Sequence, residues 1–390
     1  MDRTIRIAIV GGALQGMEAV YLAKKAGFKT VVLDRRSTAP ALSLADESHV
    51  INPINDPESA KSIFGSCDVV LPACEESDLL NTLVSLCKDV GVPFLFDIDS
   101  YNISCSKVRS NEIMSEVGAP LPRPWPDCGF PVIVKPSSQS GSVGVSVAMD
   151  EDDIRRGLEI IEGLDDEPVI QEFVHGKSVS IEVIGDGKDA ISYVTTEVIL
   201  DSNYDCKMVV CDPDILSDAD EAEFGRVGKE VAGSIGLKAL MDVEAILTPN
   251  GLRILEIDAR IPSQTPAAIE KATGVNLLRA LVNSGLGRSF EEVSTPGSSV
   301  YYHLFYKDGV LRTCGEKEFG HVDRPSFVKG LFGSDDAITD YEAGKSEWRA
   351  TLISGGESRD HVMRRVSESI DRIRDEVEVL EFIDVSPDVI

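Results

Sequence analysis

The run TIRIAIV, Thr4 to Val10, is apolar at most positions and stops at Gly11-Gly12, which predicts a strand followed by a tight turn. Apolar residues then return with helical spacing from Met17 to Ala26. Gly27 supplies the stop, and Thr30 to Leu33 reads as the next strand, with Asp34 at its tip. Val69 to Leu71 and Phe94 to Phe96 are further strand-like segments, and they alternate with helical ones such as Asp78 to Val90. Strands and helices in this alternation predict a parallel α/β layer.

The pattern changes after residue 100. A helix is expected over Lys107 to Val117. The connector APLPRPWPDCGFP cannot continue it, because proline removes N–H donors, so this stretch is expected to run extended over the surface. A second α/β block starts at Pro131. PVIVKP is a strand ending in Lys135, and PVIQEFVHGKSVSIEV (Pro168 to Val183) reads as strand, turn at Gly176, strand. A helix from about Asp218 to Ile235 leads into MDVEAILTPNGLRILEIDAR, Met241 to Arg260, two short strands joined at Pro249-Asn250-Gly251. Beyond about residue 300, strands are expected at Val300 to Tyr306 and Trp348 to Ile353. A terminal helix carries Val362, Val366, Ile370, Ile373 and Val377 on one stripe, the pattern of packing on a core. No internal repeat or low-complexity tract is present.

The hairpin at Met241 to Arg260 carries the most chemistry. Glu256 and Asp258 are two residues apart, so they leave one face of their strand, and Arg260 continues that face. Asp242 and Glu244 share a face of the first strand for the same reason. Carboxylates gathered this closely repel one another unless neutralised. A hard divalent cation suits them, since Mg2+ takes oxygen ligands and keeps positions open for phosphate. Acids on a solvated strand face are the ordinary alternative. Here Val243, Ala245, Ile246, Ile254, Leu255 and Ile257 flank the acids and imply at least one buried face.

At 390 residues the chain has room for two or three domains and an ample core. Its 66 acids against 38 bases give a net charge of −28, which argues against nucleic acid as a partner. The acids are spread along the chain, as in a salt-rich cytoplasm or in an ordinary acidic enzyme. No apolar run is long enough for a membrane span, and the N-terminus lacks a signal-peptide layout. The eight cysteines form no C-x-x-C pair, which suggests free thiols in a reducing cytoplasm.

Directly after Lys135 comes SSQSGSVGV, Ser137 to Val145. Such a loop frees backbone N–H groups to wrap phosphate oxygens, and the lysine adds charge. It is not a Walker loop, because no G-K-[ST] follows. Gln171 and Glu172, before apolar Phe173 and Val174, could hold an adenine edge. The N-terminal GGALQG has Ala13 at the middle glycine position of a dinucleotide fingerprint. Packing, or contact with a small substrate, is therefore favoured there over a redox cofactor.

Taken in order, these pieces resemble an ATP-grasp enzyme: an N-terminal α/β domain, a helix lysine, V-K-P with a Gly/Ser loop, Q-E-F-V, then D-V-E and E-I-D-A-R. Four stretches resemble more narrowly the branch that joins 3-methylornithine to lysine in pyrrolysine biosynthesis. They are VGGALQGMEAVYLAKKAG, LFDIDSYNIS, NYDCKMV (Asn203 to Val209) and EIDARIPSQTPAAIEKATGVNLL (Glu256 to Leu278). Most ATP-grasp members have E-x-N-P-R where this chain has Glu256-Ile-Asp258-Ala-Arg260. The resemblance implies an ATP-grasp fold of class α/β, with a Rossmann-like pre-ATP-grasp domain over 1–100, the ATP-grasp domain over 101–300 (small lobe about 101–176) and a small α+β domain over 301–390.

Residue by residue, it implies that Lys107 and Lys135 meet the nucleotide phosphates. Ser138, Gln139, Ser140, Gly141, Ser142 and Val143 would cover them. Gln171 and the backbone of Glu172 and Val174 would meet the adenine edge. Members often place a ribose-binding acid near position 178, where this chain has Ser178. Glu244, Glu256 and Asp258 would hold Mg2+, and Arg260 would stand near the γ-phosphate and acyl group as a catalytic residue with Lys135. Tyr204, Asp205, Ser263, Leu14 and Gln15 are substrate candidates. The implied reaction is ATP-dependent activation of the 3-methyl-D-ornithine carboxylate as an acyl phosphate, followed by attack of the L-lysine ε-amine. Two rivals stand beside it: another ATP-grasp ligase or carboxylase, and a non-catalytic nucleotide- or amino-acid-binding protein. The chain is expected in the cytoplasm, with no nucleic-acid or membrane partner; a homodimer is left open.

Overall fold

The computed structural model describes residues 4–139, 141, 143–293 and 297–387. The chain divides into two compact units. One comprises residues 97–197 and 216–260; the other holds 1–96, 198–215 and 261–390.

In the second of these, four strands pair in parallel in the order Glu47–Val50, Lys29–Asp34, Arg6–Val10, Val69–Pro72. Ala8, Val10, Val31, Leu33 and Val70 are buried against Phe64, Leu83 and Leu86 of the covering helices. The strand expected at Phe94 to Phe96 shrinks to one bridge, Val70 to Phe94. Pro93 has no N–H, so pairing is limited to Val70 N–H with Pro93 O (2.9 Å) and Leu95 N–H with Val70 O (2.8 Å). The first helix, Leu14–Lys25, starts earlier than the apolar spacing alone suggests, with Ala13 as its N-cap. A Cβ on Gly16 would stand 2.2 Å from the Gly11 carbonyl oxygen, so the glycines let the helix start directly on the strand end.

Further strands of this unit form an antiparallel run in the order Cys206–Cys211, Ser298–Lys307, Glu347–Gly356, Asp336–Thr339, Ser326–Lys329, beside which Val310–Thr313 pairs in parallel with Glu381–Ile383. The terminal helix, Arg359–Glu376, lays Val362, Val366 and Ile373 into a core with Tyr302, Leu304 and Trp348. The predicted stripe thus packs as expected; Ile370 and Val377 are only partly buried.

The other unit has two sheets. Ser146–Ala148, Val132–Pro136 and Pro168–Glu172 form a small antiparallel one, whose Val132 and Val134 pack under Ile154 and Ile161 of helix Glu151–Gly163. Gly251–Asp258, Leu240–Thr248 and Lys177–Gly185 are successive strands of the second, with Gly251–Asp258 at its edge. The expected hairpin across Gly176 is therefore not formed. Pro168–Glu172 pairs with Val132–Pro136, whereas Lys177–Gly185 pairs with Leu240–Thr248. The chain changes sheets at this point. A Cβ on Gly176 would come within 2.1 Å of the Leu247 carbonyl, so a glycine is needed for the crossing. Helix Asp218–Ile235 has the bounds read from sequence, with Ser217 accepting from Asp220 N–H and Gly236 ending it at φ +62°.

Candidate active site

The acidic hairpin does form. Asp242 pairs with Asp258 and Glu244 with Glu256; on the other side Glu182 pairs with Asp242 and Ser180 with Glu244. Directly opposed residues share a face, so this face carries five carboxylates and one serine. Glu182 was missed in the sequence, because the strand it belongs to looked like half of another hairpin. The pairing slips between Glu244 and Ala245, so that Ala245 opposes Ile254 and Leu255 is passed over. This is a β-bulge. On the turn side Leu252 and Ile254 are buried; past the bulge Ile257 and Ala259 are buried instead, which leaves Glu256 and Asp258 half-exposed.

The electrostatics are uneven. Burial pushes the Glu244 carboxyl up to about 8, and Glu256 and Asp258 add to this. Asp242 is buried and held well above the usual carboxylate range by burial and by Asp258; its Oδ1 has no hydrogen-bond partner among the described residues. Burial would raise Glu256 too, but Lys107 and Lys135 outweigh it and keep that carboxyl below its ordinary value. Glu256 Oε2 lies 3.2 Å from Lys107 Nζ, and Asp258 Oδ2 lies 3.1 Å from Arg260 Nη2. Among the described residues, no three His, Cys, Asp or Glu side chains converge as they would on a metal ion.

Lys107 is the first residue of helix Lys107–Glu116, capped by Ser106. The start of the Gly/Ser loop is stitched to this helix end: Lys107 N–H donates to Ser137 O (2.9 Å), Val108 N–H to Ser137 Oγ (3.2 Å), and Lys107 Nζ to Gln139 O (2.9 Å). Lys135 is buried on its strand; burial lowers its pKa, against an opposing effect of Glu256. Asp166 also anchors the loop, a role that no motif around it marks. It accepts from Ser138 Oγ (2.5 Å), Ser138 N–H (3.2 Å), Gln139 Nε2 (3.2 Å) and Glu167 N–H (2.7 Å). Gly141 takes φ +60°, and Val143 is exposed. Ser140 and Ser142 lie outside the described residues.

Gln171 is buried beside Ile133. Glu172 N–H donates to Arg123 O (2.8 Å), and its carboxylate accepts from Arg123 Nε and Nη2 at 3.2 and 3.1 Å. Ser178 pairs with Ile246 on the central strand. Val174 lies in the segment that crosses between the sheets.

The amino-acid candidates other than Arg260 belong to the unit containing the N-terminus. Leu14 opens the first helix. Gln15 Nε2 donates to the Ile261 carbonyl (3.3 Å) and stands 3.5 Å from Glu75 Oε1. Gly12 N–H donates to Asp34 Oδ2 (2.7 Å), so that acid is tied to the glycine turn. Tyr204 is exposed at φ +58°. Asp205 is buried and accepts from Lys317 N–H (2.9 Å). Ser263 is half-buried, and its carbonyl accepts from Thr265 N–H (2.8 Å). Thr265 Oγ1 is a further buried polar atom without a hydrogen-bond partner among the described residues.

Two family matches cover most of this framework. An ATP-grasp domain matches residues 105–264, and a PylC-like N-terminal domain matches residues 7–95. The 3-methyl-D-ornithine–L-lysine ligase of Methanosarcina acetivorans is 38% identical over 315 residues, 80% of this chain and 83% of that protein. Its counterpart in Methanosarcina mazei is 37% identical, over 80% and 81% of the two chains. Among solved structures, a Campylobacter jejuni biotin carboxylase complexed with β,γ-ATP superposes with a TM-score of 0.74 at 15% identity, covering 95% of this chain and 91% of that one. An ADP complex of the N5-carboxyaminoimidazole ribonucleotide synthetase purK gives 0.69 at 15%, covering 96% and 100%. At such identities the structures speak for the fold alone.

Proposed function

Because this chain belongs to the ATP-grasp family of 3-methyl-D-ornithine–L-lysine ligases, we propose that it uses ATP to join the carboxylate of 3-methyl-D-ornithine to the ε-amine of L-lysine. The observation that carries this reading is the grouping, in one compact unit, of Lys107 and the carboxylate face. Lys107 Nζ reaches both the Gly/Ser loop and Glu256.

Lys107 and Lys135 would hold the nucleotide phosphates, under a cover that includes Ser138 to Val143. Gln171, with the backbone of Glu172 and Val174, would receive the adenine. Glu244, Glu256 and Asp258 fit Mg2+ by chemistry: all are oxygen donors, and the raised Glu244 carboxyl marks crowding that a cation relieves. The ion would supply neutralisation of phosphate charge. Arg260, now paired with Asp258, would turn its guanidinium to the acyl and phosphoryl oxygens, where charge grows as the substrate carboxylate attacks. The amine would then displace phosphate from the acyl phosphate, so no side-chain nucleophile is required. Leu14, Gln15, Tyr204, Asp205 and Ser263 would meet the amino acids, whose cationic groups suit acidic surroundings. The three-part division at about residues 100 and 300 is part of the same proposal.

Mass spectrometry of products from purified enzyme, ATP, Mg2+ and pairs of acids with amines tests the reading. A lysine adduct of 3-methyl-D-ornithine is expected. A product with another amine, and none with lysine, would overturn the substrates. Light scattering tests whether a homodimer forms.

A further inference from the structure

Gln264 occupies a conformation that side chains rarely adopt, φ +70° and ψ −55°. Thr265 N–H donates to Ser263 O at 2.8 Å across it, so residues 263–265 make a γ-turn of the strained, positive-φ kind. Strain of this sort persists only where the surroundings over-determine it, and it collects at functional sites. The surroundings do so here. Glu18 Oε2 accepts from Gln264 N–H at 2.6 Å, and Glu18 Oε1 accepts from the Tyr301 hydroxyl. The Gln264 side-chain amide uses both its hydrogens, one toward His303 Nε2 (3.1 Å) and one toward Glu316 Oε2 (3.2 Å). An amide NH2 only donates, so His303 Nε2 accepts, and Nδ1 carries the proton given to Thr351 Oγ1 (2.6 Å). Glu18, Gln264, Tyr301 and His303 are all buried.

The turn holds a particular piece of chain. Its two neighbours, Ser263 and Thr265, are a substrate candidate and a buried hydroxyl with no partner among the described residues. The Gln264 carbonyl accepts from Ala267 and Ala268 N–H (3.1 Å each), starting helix Thr265–Thr273 with no side-chain cap. Glu18 lies one helical turn after Leu14 and Gln15, and Gln15 donates to the Ile261 carbonyl. One helix thus grips the loop at Ile261 and at Gln264.

We propose that Glu18 is a positioning residue for substrate: its buried carboxylate locks the γ-turn at Gln264 and so sets the loop Ile261–Pro266 in the form that binds an amino-acid substrate. This rests on the reading of that loop as substrate-binding. The lock needs an acceptor at position 18 and no charge, so Glu18→Gln retains it and Glu18→Ala releases it.

Two measurements on the full-length enzyme test this. Hydrogen exchange by mass spectrometry follows the peptide covering residues 261–268. Glu18→Ala is expected to exchange about tenfold faster there, while Glu18→Gln stays near wild type. Steady-state kinetics use whichever acid–amine pair the wild-type enzyme joins. Glu18→Ala is expected to raise the KM of one amino-acid substrate about tenfold or more, with KM for ATP within about twofold and Glu18→Gln restoring the value. Unchanged exchange, or faster exchange with unchanged amino-acid KM, overturns the proposal. So does a uniform loss of kcat with all KM values alike, the mark of a merely structural residue. If lysine is not the amine that reacts, the substrate reading fails, and this inference is still judged by its own KM ratio.

Discussion

Lys107 Nζ lies 3.2 Å from Glu256 Oε2 and donates to Gln139 O at 2.9 Å. One ammonium thus links the carboxylate face to the loop proposed to cover phosphate. Replacing Lys107 by Met should raise KM for ATP by about tenfold or more and leave the fold intact. Coupled ADP-release kinetics with circular dichroism check both halves.

Glu256→Gln keeps the shape and removes the charge. Turnover should fall by about a hundredfold or more, and the thermal stabilisation given by MgADP should shrink. Melting curves with and without MgADP measure the second effect. An increment equal to wild type would refute the metal role.

Asp166 has no place in any motif, yet it holds Ser138 and Gln139. Asp166→Ala should loosen the loop and raise KM for ATP several-fold, with little change in amino-acid KM. A KM for ATP equal to wild type would separate Asp166 from nucleotide binding.

Burial pushes His303 down to about 3, from an unfolded value near 6.5. Its folded form therefore binds fewer protons than the unfolded chain over that window. Its contribution to stability is full above about 6.5 and is lost as pH falls toward 3, with a slope of at most about 1.4 kcal/mol per pH unit. Glu18, which faces the same network, acts in the opposite sense. Raised to about 8, its contribution is present below about 4.5 and is lost as pH rises toward 8. Urea unfolding of wild type and His303→Gln isolates the histidine. The stability of wild type relative to the variant should decline as pH drops from 6.5 to 4.

Gly16→Ala should destabilise by about 2 kcal/mol or more, since the new methyl would stand 2.2 Å from a backbone oxygen that cannot move aside. Denaturant midpoints provide the check.

What was legible in the sequence followed from local rules. The glycine turn, the Asp218–Ile235 helix with its caps, the terminal stripe and the hairpin acids all announce themselves within about twenty residues. The sheet change at Gly176 did not, because two adjacent strands look alike whether they pair with each other or with distant partners. Glu182 was hidden for that reason: its neighbour Asp242 is far along the chain. Asp166 and Glu18 act through backbone N–H groups of other segments, a role that leaves no residue pattern. The γ-turn at Gln264 gave no warning either, since neither glycine nor asparagine marks it.

The slip at Leu255 makes strand length a genetic constraint. Deleting that one residue would restore regular alternation and leave Glu256 opposite Glu244 and Asp258 opposite Asp242, in the phase they hold now and opposite to that of buried Leu252 and Ile254. Deleting Ile257 instead would bring Asp258 opposite Val243, into the buried phase that Ile257 now holds, although no acidic residue had been altered. Deletion of Leu255 should therefore be tolerated by the enzyme, while deletion of Ile257, beyond the slip, should abolish its activity. A reading-frame-preserving deletion scan would show this as one tolerated position in the middle of an otherwise sensitive strand.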